Sequence, residues 1–260
     1  MTTKCPQSSL KLLPKLSFKI KLNYSPNFDN KKRKSEEIKF LIFHYTGMKS
    51  EKDSIKRLTS FKSKVSCNYL IKNNGEILTL VPDLYIAWHA GVSSWLNYKS
   101  LNKNSIGIEI SNPGHNFNYK NFSKKQINSI LKLSNFLIKK YKIKYNNILG
   151  HSDIAPARKS DPGEKFPWKY LSQKKIGFWH DLNQNELTKQ RKTKINILDK
   201  KIFINNLFKI GYPKNPKIDK NKYFKFLTKA FQRRFRQELV DGNIDNECLI
   251  ISKNLLKKLK

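Results

Sequence analysis

The chain has 260 residues and a formal net charge of +34, from 53 Lys and Arg against 19 Asp and Glu. Its 38% hydrophobic and 12% aromatic residues suffice for a core, but no stretch reaches the ~18 consecutive apolar residues of a membrane span. The charge suits an anionic partner, yet the lysines are dispersed and no zinc-knuckle, RNP-like or helix-turn-helix pattern occurs, so nucleic acid is not the expected partner. Cys5, Cys67 and Cys248 are odd in number and far apart, which excludes a disulfide framework and a Cys-x-x-Cys metal pair.

Residues 1–35 read as an N-terminal extension. Lys11, Pro14, Lys15, Lys19 and Lys21 interrupt its apolar residues, so no secretory h-region forms. Leu16, Phe18, Ile20 and Leu22 alternate as in a short strand, and the KKRK run at 31–34 reads as a solvated charge cluster. From Ile38, IKFLIFHY is apolar on both faces, as in a central strand covered on both sides, and His44 falls near its C-terminal end. Ser50 and Asp53 resemble a capping box before a helical stripe of Ile55, Leu58 and Phe61. NYLI and EILTLV flank Asn73-Asn74-Gly75, a hairpin signal. In SIGIEIS, Ile106, Ile108 and Ile110 point one way; Gly107, Glu109 and Ser111 point the other.

The segment 122–141 predicts a helix. Ser123 caps it, Gln126 completes the box, Phe122 staples onto Ile127, and Ile127, Ile130, Leu131, Leu137, Ile138 and Tyr141 form its apolar face. A turn at Asn146-Asn147 leads to a short strand, ILGH, that delivers His151. Intermixed strands and helices predict an α/β fold, a mixed central β-sheet flanked by helices, over 36–175. Residues 176–197 are polar and read as a linker. Three short helical stripes then follow over 198–258: Ile202 to Leu207, stopped at Gly211-Tyr212-Pro213; Tyr223 to Phe235; and Cys248 to Leu256, capped by Asp245. They make a small three-helix domain that is marginal alone by size.

The stretch LGHSDIAPARKSDPG, 149–163, carries His151, Lys159 and Asp161 between Pro156 and Pro162, with little room for a helix. With His44 it would supply two imidazoles and one carboxylate, a catalytic zinc set whose fourth position is open to water. Glu109, opposite three isoleucines, is either a functional carboxylate in a covered sheet or a trivial one on a solvent-facing sheet.

FHYTGM, VSCNYLIKNNGEI, AWHAGVSSW, NSIGIEISNPG and GHSDIAPARKSDPG resemble, in order, the successive blocks of the zinc-dependent N-acetylmuramoyl-L-alanine amidases, the type-two amidases that share a fold with peptidoglycan recognition proteins. Residues 198–258, with KAFQRRFR and VDGNID, are similar to a small peptidoglycan-binding domain found on cell-wall enzymes. The resemblance implies one Zn2+ per chain held by His44, His151 and Asp161, Glu109 as the catalytic acid/base and Lys159 as the active-site cation. His89 and Trp95 become candidates for the substrate groove; an orienting or packing role fits His89 equally, and Trp88 and Trp95 either stack on sugar or pack. Cys67 and Asn68 depart from the tyrosine and histidine that some members carry, which bears on substrate positioning. The implied reaction is hydrolysis of the amide between N-acetylmuramic acid and L-alanine in peptidoglycan or muropeptides. The alternative is a recognition protein that binds without cleaving, but such members usually lack a zinc ligand. The wall-binding module argues for the cell envelope or periplasm; the missing signal argues for the cytoplasm.

Overall fold

The computed structural model describes residues 18–260. Its framework is a six-stranded mixed sheet in the order β1-β5-β4-β9-β3-β10. In chain order the strands are β1 (Ile20–Leu22), β2 (Phe28–Asp29), β3 (Phe40–Tyr45), β4 (Tyr69–Ile71), β5 (Ile77–Thr79), β6 (Ile86–Ala87), β7 (Ser94–Trp95), β8 (Tyr98–Lys99), β9 (Ser105–Ile110) and β10 (Ile148–Gly150). The helices are α1 (Glu51–Thr59), α2 (Lys124–Tyr141), α3 (His151–Ile154), α4 (Trp168–Gln173), α5 (Gln184–Gln190), α6 (Ile197–Ile210), α7 (Lys220–Phe235) and α8 (Asn246–Leu259).

Strand β3 lies between β9 and β10 and runs parallel to both. Phe40, Leu41, Ile42 and Phe43 are all fully buried, as expected for a strand covered on both faces. The strand alternation assigns two cores. Phe40 and Ile42 join one cluster with the C-terminal helices, while Leu41, Phe43, Ile106, Ile108 and Ile110 join another with Ile130, Leu133 and Leu137 of α2. Helices therefore cover both faces. The predicted caps form: Ser50 accepts from the Asp53 amide, Ser123 makes the full capping box with Gln126, and Asp245 accepts from the Cys248 amide. The hairpin at 73–75 joins β4 and β5 in antiparallel register. Of the predicted N-terminal strand, β1 pairs with β5, whereas Leu16 lies outside the described residues.

Three expectations need correction. The KKRK run is not wholly solvated. Arg33 is 5% exposed and donates to the carbonyls of Asp83, Asn102, Lys103 and Ser105. Four backbone acceptors meet the guanidinium's fork, which makes burial tolerable. The polar stretch 176–197 is not a bare linker. It folds into α5 and buries Ile176, Phe178 and Leu187; a few apolar anchors among many polar residues suffice for that. The Pro-punctuated segment 149–163 also holds one helical turn, α3, because both prolines lie beyond it.

The C-terminal helices do not form a separate core. Phe203, Leu207, Phe231 and Ile251 share one buried cluster with Phe40, Ile42, Trp95 and Leu149 of the sheet layer. A unit of this size gains little burial alone and gains more by docking.

Candidate functional site

Parallel β3, β9 and β10 end at the same edge of the sheet, where loops of an α/β protein gather functional groups. His44 is the penultimate residue of β3 and is the register partner of Glu109 in β9. His151 follows β10 directly as the first residue of α3. Asp161 returns on the following loop, tied by its carbonyl to the Ser152 amide at 2.9 Å.

These residues converge. The Nδ1 atoms of His44 and His151 are 2.9 Å apart, and Asp161 Oδ2 lies 3.0 Å from the first and 3.1 Å from the second. All three residues are buried.

The surrounding hydrogen bonds fix where the imidazole protons sit. The Ser105 hydroxyl donates to the Leu101 carbonyl at 2.6 Å, so its oxygen must accept from His89 Nε2 at 3.2 Å. His89 Nδ1 is then bare and accepts from His44 Nε2 at 3.0 Å. That leaves His44 Nδ1 without a proton. Both hydrogens of Arg158 Nη2 are aimed at the carbonyls of Ala90 and Val92, at 2.7 and 2.9 Å. His151 Nε2 therefore donates to the Ala90 carbonyl at 3.1 Å, and its Nδ1 is bare too. Two lone pairs and a carboxylate thus face one another at hydrogen-bond distance with no proton between them. That is unfavourable unless a cation lies among them. Ligand distances of about 2.0–2.1 Å around a tetrahedral zinc imply donor separations of about 3.3–3.4 Å, only slightly wider than those present. The residues fit the group.

Electrostatics agree. Burial, reinforced by His151, pushes the His44 pKa down to about 4, so the ring is neutral and free to ligate. Burial and the two neighbouring imidazoles hold His89 well below the ordinary histidine range. Burial is the largest influence on Asp161 and opposes its ionisation; the carboxyl is held well below its usual range only where positive charge, on the imidazoles or on an ion among the three donors, stands beside it. Glu109 goes the other way. Burial and the charge of Asp161 raise it well above the ordinary carboxylate range, partly offset by Lys159 and Arg57. Its Oε2 is sealed from solvent and has no hydrogen-bond partner in the described protein. A buried carboxyl whose charged form is disfavoured holds a proton more readily than an exposed one, as a group that takes and returns a proton must.

His151, Asp161, Glu109, Lys159, His89 and Trp88 line one cavity of about 530 Å³. Among the described residues the Lys159 ammonium makes no hydrogen bond or ion pair, leaving it available to a ligand. His89 reaches this wall but is only 8% exposed, and its ring nitrogens are engaged by His44 and Ser105. It orients the His44 imidazole. Gly107 makes room for it, since a Cβ there would lie 2.4 Å from the His89 ring.

Trp95 corrects the expectation of a groove residue. It is 3% exposed and packs on Tyr212 and Gly211, against the C-terminal helices and away from the cavity. Trp88 is the tryptophan on the cavity wall, with its indole N–H on Asp29 of the N-terminal extension. Cys67 and Asn68 are both fully buried and line no part of the cavity. Asn68 instead stitches Val81 to Gly107. Arg57 and Arg158 of the lining were not singled out from sequence, because one arginine among 53 basic residues carries no pattern.

A family model described as N-acetylmuramoyl-L-alanine amidase matches residues 34–164. The N-acetylmuramoyl-L-alanine amidase AmiD of Escherichia coli is 35% identical over 233 residues, spanning 85% of this chain and 83% of its own. The 1,6-anhydro-N-acetylmuramyl-L-alanine amidase AmpD of Haemophilus influenzae is 34% identical over 170 residues, 58% of this chain and 90% of its own. Among solved structures, AmiD in complex with anhydro-N-acetylmuramic acid-L-Ala-D-gamma-Glu-L-Lys superposes with a TM-score of 0.75 at 34% identity, over 85% of this chain and 90% of that one. AmpDh3 of Pseudomonas aeruginosa in complex with anhydromuramic pentapeptide gives 0.75 at 32% identity, over 90% and 97%.

Proposed function

This chain belongs to the N-acetylmuramoyl-L-alanine amidase family, and from that premise we infer that His44, His151 and Asp161 hold a zinc ion beside Glu109 and Lys159 as the catalytic pair. The chain hydrolyses the amide between N-acetylmuramic acid and L-alanine in peptidoglycan fragments. The observation that carries the metal reading is the triangle of three proton-free donors.

A zinc ion held there would supply Lewis acidity, making a water acidic enough to lose a proton near neutral pH. Glu109 accepts the proton of the attacking water and returns it to the departing amide nitrogen. The Lys159 ammonium faces the carbonyl oxygen as negative charge develops, a contribution of about 3–4 kcal/mol per well-placed donor. His89 and the Ala90 carbonyl keep both imidazoles in the ligating tautomer. Arg57, Arg158 and Lys159 give the cavity a cationic lining suited to the carboxylates of a stem peptide.

Anhydro-muropeptides bound to the two relatives support soluble fragments as substrates here. The dispersed positive charge and the C-terminal helices support the cell envelope as the place of action, which fractionation tests; among the described residues no helix is long and apolar enough to cross a membrane. For the reaction, purified protein is expected to convert an anhydro-muropeptide to intact sugar and a peptide with a free L-alanine amino group. Glu109→Gln is expected to keep the metal and lose about 10²–10⁴-fold in kcat. Cleavage between sugars, stoichiometric binding without product, or normal turnover by Glu109→Gln would each contradict this assignment.

A further inference from the structure

Helix α7 belongs to the C-terminal helical unit, yet its last turn and the residues after it reach the segments that carry two of the three metal donors. Arg234 is 2% exposed. Its Nη1 donates to Asp153 Oδ2 at 2.5 Å, inside α3, two residues after His151. Its Nη2 donates to the Ile148 carbonyl at 2.9 Å, at the start of β10, the strand that delivers His151. One guanidinium thus spans the strand before the ligand and the helix after it. Asp153 is 1% exposed and also accepts from the Gly150 amide at 2.8 Å and from Tyr212 Oη at 2.9 Å.

The same guanidinium lies over the Trp168 ring, 4.5 Å from its centroid. Trp168 and Pro162 close on Gly150 so tightly that a Cβ there would meet Pro162 Cδ at 2.7 Å and Trp168 Cζ2 at 3.3 Å. The residue before His151 and the residue after Asp161 are therefore packed against one another beneath Trp168 and Arg234. Beyond α7, Gln237 Nε2 donates to the carbonyls of Glu164 and Phe166 at 2.6 and 2.7 Å, fixing the exit of the Asp161 loop.

Burying a charge is costly and seldom the best route to stability; where such a pair is retained, it can fix geometry instead. We propose that Arg234 is a positioning residue of the metal centre, through which the C-terminal helices hold His151 and Asp161 in ligating geometry. The proposal rests on the reading that these residues bind zinc. It gives the C-terminal helices a task in the reaction that is separate from any grip on polymer.

The test compares full-length wild type, Arg234→Gln, Arg234→Lys and Ile251→Ala. Ile251 is fully buried in α8 within the shared core, so its truncation weakens the helical unit while leaving the hydrogen bonds of Arg234 and Gln237 to the ligand segments in place. The readouts are the zinc Kd by competition with a chelator, kcat and KM on a soluble muropeptide, and Tm. Arg234→Gln is expected to weaken zinc binding at least tenfold and to lower kcat, with KM within about twofold of wild type. Arg234→Lys should fall between, because it keeps the charge and loses the fork. Ile251→Ala should lower Tm with zinc Kd unchanged. Wild-type zinc affinity in folded Arg234→Gln overturns the proposal, as does an equal loss of affinity in Ile251→Ala. If Arg234→Gln does not fold, Arg234→Lys and Tyr212→Phe decide by the same criterion. A wild-type chain that takes up no zinc refutes the metal reading itself, and the proposal with it.

Discussion

His44 turns a bare Nδ1 toward His151 and Asp161 because of what its Nε2 touches. The relay runs from His44 through His89 and Ser105 to the Leu101 carbonyl, and its direction is set by a carbonyl that can only accept. His89→Phe removes the acceptor and is expected to weaken zinc about 10–100-fold. Ser105→Ala frees His89 to change tautomer and should cost less; chelator competition on both variants checks the order. Equal zinc affinity in His89→Phe and wild type would remove the relay from the account. The places of His44, His151, Asp161 and Glu109 are legible in sequence from local pattern (the end of an apolar strand, a loop between prolines, the odd carboxylate facing away from isoleucines), whereas their shared role comes from the resemblance to the amidases. The relay was not legible. Ser105 and Gly107 are ordinary residues of a strand, and their use depends on a histidine 16 and 18 positions earlier folding over them. The choice between stacking and packing stays open for Trp95 in sequence for a related reason: an aromatic in such a block reads alike whether it faces sugar or, as here, the end of a helix more than a hundred residues later.

At the level of elements, the caps, the hairpin and the strand pattern were readable because they are local. The role of 176–197 and of α6 to α8 was not, because it is set by docking. The same core cluster takes Phe40 and Ile42 from one face of β3 and Phe203 and Phe231 from the helices. Removing residues 196–260 should therefore strip a shared core and not merely untether a module. Each large apolar side chain lost from such a core costs about 2–5 kcal/mol, and several are lost at once, against a total stability of about 5–15 kcal/mol. The expected outcome is a fragment that aggregates or melts without a cooperative transition. A fragment with wild-type Tm, measured by calorimetry, would show the two units to be independent.

For the whole molecule, the acid limb of stability follows from buried histidines. His180 is 6% exposed, stacks on Trp179 and has no hydrogen-bond partner at either ring nitrogen among the described residues. Burial pushes its pKa down to about 4. Above the unfolded value of about 6.5 both states are neutral and the group contributes no pH dependence. As pH falls from there toward 4, the unfolded chain takes up a proton that the folded chain refuses, so folding is lost by up to about 3 kcal/mol. His180→Phe should flatten the curve over that window, read as urea midpoints at pH 7, 5.5 and 4.5. His44 and His89 have the same sign and remain in the variant, so the difference between the two proteins isolates His180. Parallel curves would show that His180 takes up its proton as readily in the folded state as in the unfolded one.

The centre of the account is that three side chains distant in sequence share one divalent ion on which hydrolysis depends. Metal analysis of the purified chain, paired with turnover of an anhydro-muropeptide, tests it most directly. One equivalent of zinc per wild-type chain, none in Asp161→Ala, and activity that vanishes with a chelator and returns with zinc are the predicted results. Full turnover by metal-free wild type, or by Asp161→Ala, would contradict it.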